Sequence, residues 1–173
     1  MAEAGGYACR CAGYSVKDYH LHHLGYLVAD LEAAAARMML RYGYIQESAA
    51  IVDELQTARV LFLRLPAASS WIELLTPYGE ASKLANALTK GIVLHHICYE
   101  VPDLDEAWRN LRKQGLFPLS APGPGAAFPG RQIAWMVDDA RSLVELVSHG
   151  TGPLSVHALL TGAPSARASK ILQ

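Results

Sequence analysis

The sequence predicts an α+β fold built from two pseudo-symmetric βαβββ modules whose sheets curl around a central cavity. The main observation is an internal repeat: residues 22–34 read HHLGYLVADLEAA, and residues 95–107 read HHICYEVPDLDEA at an offset of 73. Each copy also reaches a glycine, Gly43 or Gly115, and closes on an apolar strand with one acid, Glu73 or Glu145. A repeat fixes the architecture before other arguments apply, and two copies are too few for a solenoid.

The first module is predicted over residues 20–76. A strand over about 20–28 precedes a helix that is capped by Asp30 and ends at Gly43, because apolar residues recur at helical spacing between them. Three further strands are expected at about 45–54, 58–65 and 70–75. Leu84 and Leu88 lie one turn apart and predict a helix over residues 79–90 that links the modules.

The second module is predicted over residues 93–148. Asp103 and Glu106 have the spacing of a capping box, and Gly115 marks the end of the helix. Strands should follow at about 116–119, 131–138 and 142–148. The glycine-rich segment 1–18 is interpreted as a flexible leader, residues 19–149 as one domain, and residues 150–173 as a tail with at most a short helix near 156–160.

Composition favours a cytoplasmic protein without nucleic-acid or membrane partners. The net charge is −1, with 15 basic and 16 acidic residues and no basic run, which argues against nucleic-acid or membrane partners. We find no apolar stretch of membrane-spanning length and no signal peptide. Three cysteines cannot all pair, and Cys98 lies in a predicted strand, as expected in a reducing compartment. Exposed sheet edges predict a homodimer.

The two-residue period of a strand predicts which side chains face the cavity. His23 and His96, with Glu73 and Glu145, fall on the concave face, whereas His22 and His95 fall on the helix side. Matching the third strands at an offset of 72, as for Arg59 and Arg131, places Leu61 and Ile133 under the helices. The cavity wall is then predicted to comprise Val60, Phe62, Arg64, Gln132, Ala134 and Met136.

Two imidazoles and two carboxylates on one face predict a divalent metal site. A single strand histidine is more often a hydrogen-bonded structural residue than a ligand, and His20, His22 and His95 keep that interpretation. His23, Glu73, His96 and Glu145 differ because all four recur at equivalent positions. This donor set suits Co, Ni, Zn, Mn or Fe(II), with positions open for substrate oxygens.

The repeated H-[LI]-x-Y-x-V-x-D-L, the IELL and VELV strands, and the stretch from IELLTPYGEASKLANALTKG into LHHICYEV resemble the vicinal oxygen chelate superfamily. Within it, residues 20–148 look most similar to methylmalonyl-CoA epimerases and more distantly to glyoxalase I. The resemblance implies a metal held by His23, His96 and Glu145, with Glu73 in the fourth position, where many epimerases have glutamine. Some epimerases carry a second acid on the third strand; Val60, Phe62 and Arg64 supply none.

The predicted function is metal-assisted proton abstraction α to a carbonyl, with Glu73 and Glu145 as the acid/base pair and an acyl-CoA or other acyl thioester as substrate. Three alternatives remain: a glyoxalase I-type lyase, an Fe(II) oxygenase, and a non-catalytic small-molecule binding or self-resistance protein. An oxygenase would use a two-His-one-carboxylate face, and a fourth ligand at Glu73 occupies a position that it needs. A binding protein would not need the four ligands.

Overall fold

The computed structural model describes residues 19–150 and 154–156. The predicted leader and most of the predicted tail, including its short helix beyond residue 156, lie outside these residues. Elements follow in the order β1 (His20–Leu27), α1 (Leu31–Tyr42), β2 (Ile45–Gln46), β3 (Ile51–Asp53), β4 (Ala58–Arg64), β5 (Trp71–Pro77), α2 (Ala85–Thr89), β6 (Leu94–Val101), α3 (Leu104–Lys113), β7 (Phe117–Pro118), β8 (Gly123–Gly125), β9 (Phe128–Val137) and β10 (Leu143–Ser148).

The strands form one mixed sheet with a symmetric order. Its main path runs β2-β4-β5-β1-β6-β10-β9-β7, with β3 paired to β4 and β8 paired to β9. The halves meet where β1 runs antiparallel to β6, while β5 and β10 lie parallel to β1 and β6 respectively. Every element from β1 to β5 therefore has a counterpart from β6 to β10, and the predicted α+β fold of paired modules is confirmed.

Both long helices begin as the sequence predicted. Oδ1 of Asp30 accepts from Ala33 N, and Oδ1 of Asp103 accepts from Glu106 N, each at 2.8 Å. Gly43 ends α1 in the left-handed region at φ 74°, which favours glycine because it has no Cβ. None of the helices in the described part of the chain has the length and apolar character needed to cross a membrane.

Three elements differ from the prediction. The strand expected over 45–54 is divided into β2 and β3, and β8 forms inside the Pro/Ala-rich loop, where no strand was predicted. The linking helix is shorter than expected. Ser82 and Lys83, which fall within the predicted helix, instead make hydrogen bonds to the turn before β4. Ser82 Oγ donates to Thr57 O at 2.7 Å, and Lys83 N donates to Thr57 Oγ1 at 2.9 Å.

Within the described residues, the core is divided among three apolar clusters. One lies between α1 and the convex side of β4 and β5, and the second lies between α3 and the convex side of β9 and β10. The third fills the concave side and takes residues from both modules. Phe62 from β4 and Phe128 from β9 meet there with ring centroids 5.7 Å apart, so the sheet curls back on itself.

The prediction for the inner face of β9 was wrong by one residue. Ala134 and Met136 pack under α3, whereas Ile133 and Trp135 face the concave side. Cross-strand partners explain the error, since Phe62 pairs with Glu73 and Trp135 pairs with Glu145. The true offset at this strand is therefore 73, because the β9–β10 connection (138–142) is one residue shorter than the β4–β5 connection (65–70). A one-residue slip inverts every side chain of a strand.

The two arginines that suggested an offset of 72 lie on opposite faces. Arg59 is on the helix side and pairs with Glu32 of α1. Arg131 is buried on the concave side, where it pairs with Glu100 at 2.9 Å. Their agreement in the sequence is therefore not a structural equivalence.

Candidate metal centre and cavity

Four strands bring the four predicted ligands together at the centre of the sheet. His23 lies on β1, Glu73 on β5, His96 on β6 and Glu145 on β10. The Nε2 atoms of the two histidines are 2.8 Å apart. Each Nε2 also lies 3.2 to 3.5 Å from Oε2 of both glutamates. All four side chains are buried.

These separations fit one bound cation. Ligand bonds of roughly 2.0–2.2 Å place adjacent donor atoms roughly 3.0 to 3.4 Å apart, close to the spacing found here. His23, His96 and Glu145 form a compact set of possible ligand atoms, and Glu73 completes the arrangement. Two buried carboxylates also need positive partners, which a cation would supply.

The metal-free charges of the cluster are strongly coupled. Burial lowers the pKa of His96, but hydrogen bonds and attraction from Glu145 and Glu73 outweigh burial and raise that pKa to about 9. The pKa of His23 is raised for the same reasons. Burial alone would raise the pKa of Glu73, yet the two imidazoles lower it to about 2. The pKa of Glu145 is likewise lowered by both histidines against the effect of burial. Without a cation, protons therefore occupy the imidazoles.

The neighbours of the two glutamates differ, although the ligands are symmetric. Glu73 lies beside Gly25 on β1, and Glu145 lies beside Cys98 on β6. The thiol of Cys98 is fully buried beside Glu145, and burial together with the charge of that carboxylate raises the pKa of the thiol. Gly25 has no side chain to do the same for Glu73.

His22 and His95 do not lie on the helix side as predicted. Leu21 pairs with Tyr99 and His23 pairs with Cys98, so His22 is an extra residue on β1. Similarly, Gly25 pairs with His96 and Tyr26 with Leu94, which makes His95 the extra residue on β6. These β-bulges place two consecutive side chains on the concave face and account for the repeated His-His pair.

His22 is fully buried behind the candidate ligands. Its Nδ1 lies 2.7 Å from Nδ1 of His23, and its Nε2 lies 2.5 Å from the carbonyl oxygen of Leu154. Its ring packs against Trp71 and Phe128 with centroids about 5 Å away. Burial, followed by the charges of His23 and Arg131, lowers the pKa of His22 well below its usual value, so the imidazole is neutral.

The segment after the predicted domain boundary at residue 149 contributes to this interior. Leu154, Ser155 and Val156 are all buried. Glu100 accepts from Ser155 Oγ at 3.1 Å and from Val156 N at 2.9 Å. Residues 154–156 of the predicted tail therefore pack with the core.

A cavity of about 430 Å³ opens beside the four ligands and includes His96, Glu73 and Glu145 in its wall. Of the predicted wall residues, Val60 lines it. Phe62 is buried against His23, and Arg64 donates to loop carbonyls and to Glu47. Gln132 is exposed. With Ala134 and Met136 on the helix side, the actual second-module wall includes Ile133 and Trp135.

Sequence reasoning also missed polar residues of the cavity. Asp53, at the end of β3, is a buried carboxylate in the wall, and its Oδ1 accepts from Gln56 N at 2.9 Å. Lys83 and His95 line the same cavity. The sequence predicted one long strand over 45–54 that included Asp53. Without a signal for the break between β2 and β3, the position of Asp53 in the cavity wall could not be predicted. His95 was recognisable only from the bulge.

Comparison with known proteins agrees with this geometry. Residues 22–135 match the family described as Glyoxalase/Bleomycin resistance protein/Dioxygenase superfamily. An ethylmalonyl-CoA/methylmalonyl-CoA epimerase of Cereibacter sphaeroides is 37% identical over 119 residues, which are 67% of this chain and 86% of the relative. The crystal structure of methylmalonyl-CoA epimerase from Mycobacterium tuberculosis superposes with a TM-score of 0.67 at 30% identity, covering 74% and 86% of the two chains. A methylmalonyl-CoA epimerase in complex with methylmalonyl-CoA and NH4+ superposes with a TM-score of 0.66 at 29% identity, covering 74% and 92%.

Proposed function

Because the chain belongs to the glyoxalase/bleomycin resistance protein/dioxygenase superfamily, we propose that it is a metal-dependent epimerase of a 2-substituted malonyl-CoA such as methylmalonyl-CoA. The observation that carries this proposal is that each of two imidazoles lies within 3.5 Å of both carboxylates at the wall of a cavity. The similar epimerases support the substrate class.

His23, Glu73, His96 and Glu145 would hold one divalent cation chosen from Co, Ni, Zn, Mn and Fe(II). When bound, the cation supplies a Lewis acid that stabilises negative charge on substrate carbonyl oxygens. The support is the spacing of the four donor atoms and the burial of both carboxylates. The fixed imidazoles and carboxylates cost no reorganisation when the enolate forms.

Glu73 is the better placed of the two glutamates to take the α-proton. Both carboxylates contact the imidazoles through Oε2, but Glu145 also has the buried Cys98 as its cross-strand neighbour. Glu73 is 7% exposed and Glu145 is 3% exposed, and the neighbour of Glu73 is Gly25. Glu73 therefore removes the proton at a carboxylate oxygen, and the electron pair of the C–H bond remains in the enolate.

Inversion at carbon requires that a proton return to the opposite face of the enolate. Asp53 is a third carboxylate in the cavity wall, on β3 rather than on the strands that carry Glu73 and Glu145. We assign Asp53 the delivery of that proton, and in the reverse direction Glu73 and Asp53 exchange roles. Glu145 then remains a ligand, and the number of protons is conserved over one turnover.

The cavity also suits an anionic acyl thioester. Its wall is largely apolar, with Leu75, Leu84 and Phe128, and Lys83 contributes positive charge. We further propose that the protein is a cytoplasmic homodimer. The short strands β2 and β7 at the two ends of the sheet path leave edges that a second copy could cover.

The test is hydrogen exchange at the α-carbon. Wild-type protein loaded with Co²⁺ and incubated with methylmalonyl-CoA in deuterated water should incorporate deuterium at C2 and interconvert the two epimers under anaerobic conditions. Mass spectrometry of the recovered thioester measures the incorporated deuterium, and chiral chromatography measures the ratio of the two epimers. No exchange with methylmalonyl-CoA or ethylmalonyl-CoA, together with isomerisation of a glutathione hemithioacetal, would replace the epimerase proposal with a glyoxalase activity.

A further inference from the structure

We propose that His22 is a positioning residue that connects the backbone of residues 154–156 to the candidate ligand His23 and fixes the tautomer in which His23 faces the cation. This inference rests on the metal site of the proposed function. His22 itself does not reach the cavity, because it is fully buried between the ligand cluster and Leu154.

The direction of each hydrogen bond from Leu154 to His23 can be deduced by starting at the Leu154 carbonyl. A backbone carbonyl oxygen can only accept, so Nε2 of His22 must donate to Leu154 O across their 2.5 Å contact. His22 is fully buried and shares the Leu154 carbonyl with the guanidinium of Arg131, so its Nδ1 carries a lone pair rather than a second proton and positive charge. Nδ1 of His23, 2.7 Å away, must be the donor, which leaves Nε2 of His23 as the nitrogen that faces His96 and the glutamates and that would give up its proton to a cation. The resulting imidazole, protonated on Nδ1 alone, is the form that binds a cation.

The carbonyl group of Leu154 is itself held in a fixed orientation. Leu154 has φ 62°, a left-handed backbone conformation that a leucine adopts only when its surroundings require it. Its oxygen also accepts from Nη1 of Arg131 at 2.7 Å. Glu100 anchors Arg131 at 2.9 Å and the next two residues of the segment. The orientation of His22 is thus set by a buried network.

Among residues 19–150 and 154–156, the backbone carbonyl that holds the outer nitrogen of His22 has no counterpart at the symmetric position, His95. His95 has the same bulge and the same contact, since its Nδ1 lies 2.9 Å from Nδ1 of His96. However, His95 is partly exposed and lines the cavity, whereas the other end of His22 is capped by Leu154. The internal repeat therefore supplies two similar His-His pairs, and the pair of the first module is held by a hydrogen bond to a backbone carbonyl.

Two substitutions separate positioning from packing. His22→Phe keeps an aromatic ring between Trp71 and Phe128 but removes both nitrogens. His22→Gln supplies an acceptor and a donor in one planar amide and should restore both hydrogen bonds. His20→Phe is the matched control, because it makes the same exchange at a histidine that stacks on His149 outside the ligand cluster.

The first measurement is cation affinity of the full-length protein, from competition of Zn²⁺ with a chromophoric chelator. His22→Phe should weaken Zn²⁺ binding by about 10- to 100-fold, the range for a residue that orients a ligand, with His22→Gln and His20→Phe close to wild type. A correctly folded His22→Phe protein with wild-type affinity would overturn the proposal. So would equal losses in the Phe and Gln variants.

The second measurement uses wild-type protein alone and holds even if His22→Phe does not fold. Long-range ¹H–¹⁵N NMR should find His22 protonated on Nε2 and bare on Nδ1, and His23 protonated on Nδ1, with or without Zn²⁺. A proton on Nδ1 of His22 would overturn the proposal. Wild-type protein that binds no Zn²⁺ would end the metal assignment separately, and loss of epimerase activity alone would bear on neither readout.

Discussion

The imidazole of His96 lies directly over Gly25, the residue paired with it across the β1–β6 junction. A Cβ atom built on Gly25 would stand 2.2 Å from Cε1 of His96, far inside van der Waals contact. The glycine is therefore needed for space at this position. The equivalent residue of the second module is Cys98, whose side chain instead contacts Glu145.

Substituting Gly25 with alanine should displace the His96 ring and weaken metal binding. The expected loss lies below that of His96→Ala, which removes the ligand, and is at least comparable with the roughly 10- to 100-fold effect of losing an orienting contact. Gly123→Ala is the control, because a Cβ there meets nothing within 4 Å and its backbone is not in the left-handed region. Competition with a chelator measures the metal affinity of the Gly25→Ala, His96→Ala and Gly123→Ala variants. Unchanged affinity in Gly25→Ala would contradict the placement of His96.

Glu73→Gln should separate proton transfer from metal binding. Glutamine keeps an oxygen ligand but cannot accept a proton, so α-proton exchange should fall by about 10²- to 10⁴-fold, the usual contribution of general-base catalysis. Metal content, measured by elemental analysis, should be retained. Glu145→Gln is the comparison and should reduce exchange less. If the Glu145 variant loses exchange while Glu73→Gln retains it, the roles of the two glutamates are reversed.

Substitutions of Arg131 and Arg59 form a matched pair for measuring the free energy of unfolding. Arg131→Ala removes the guanidinium that pairs with the buried Glu100 and should lower the free energy of unfolding by about 3 to 5 kcal/mol. Arg59 and Glu32 are 37% and 61% exposed, so Arg59→Ala should cost roughly 1 kcal/mol or less. Urea denaturation measures both. Equal effects would contradict the assignment of the two side chains to opposite faces.

The stability of metal-free protein should be greatest near pH 6.5. Burial lowers the pKa of His22 well below 6.5 and the pKa of His95 to about 4, so holding both imidazoles neutral disfavours the folded state progressively as the pH falls below 6.5. Burial lowers the pKa of His96, but Glu145 and Glu73 outweigh burial and raise this pKa from 6.5 to about 9. Protonated His96 therefore stabilises the fold fully below pH 6.5, and this contribution is lost as the pH rises through 9. Although burial opposes it, the attraction of His23 and His96 lowers the pKa of Glu73 from 4.5 to about 2, so that contribution is lost on acidification below 4.5. A shift of this size for His96 corresponds to about 3 kcal/mol.

Urea denaturation at pH 6 and pH 9 tests the alkaline side of this maximum. Metal-free protein should be less stable at pH 9. Saturating Zn²⁺ should abolish most of that difference, since the cation replaces the proton on His96. Equal stability of the metal-free protein at the two pH values would contradict the pKa assignment.

The sequence was sufficient for the repeat, both helix caps and the convergence of His23, Glu73, His96 and Glu145. The reason is local: a two-residue strand period and a repeated motif carry face assignments without any knowledge of long-range packing. It failed for Ala134 and Met136, because the offset that matched Arg59 to Arg131 does not hold at β9. A single missing residue in a turn cannot be located from two copies alone.

The sequence by itself determined that there are two equivalent modules and which strands carry donor atoms. Only the tertiary structure decided that His22 and His95 share the concave face, because a β-bulge is defined by the partner strand and not by the strand that contains it. The same holds for Asp53 in the cavity wall and for the Leu154 carbonyl behind His22. Leu154 and His22 are 132 residues apart in the chain, and no pattern of local spacing records such a contact.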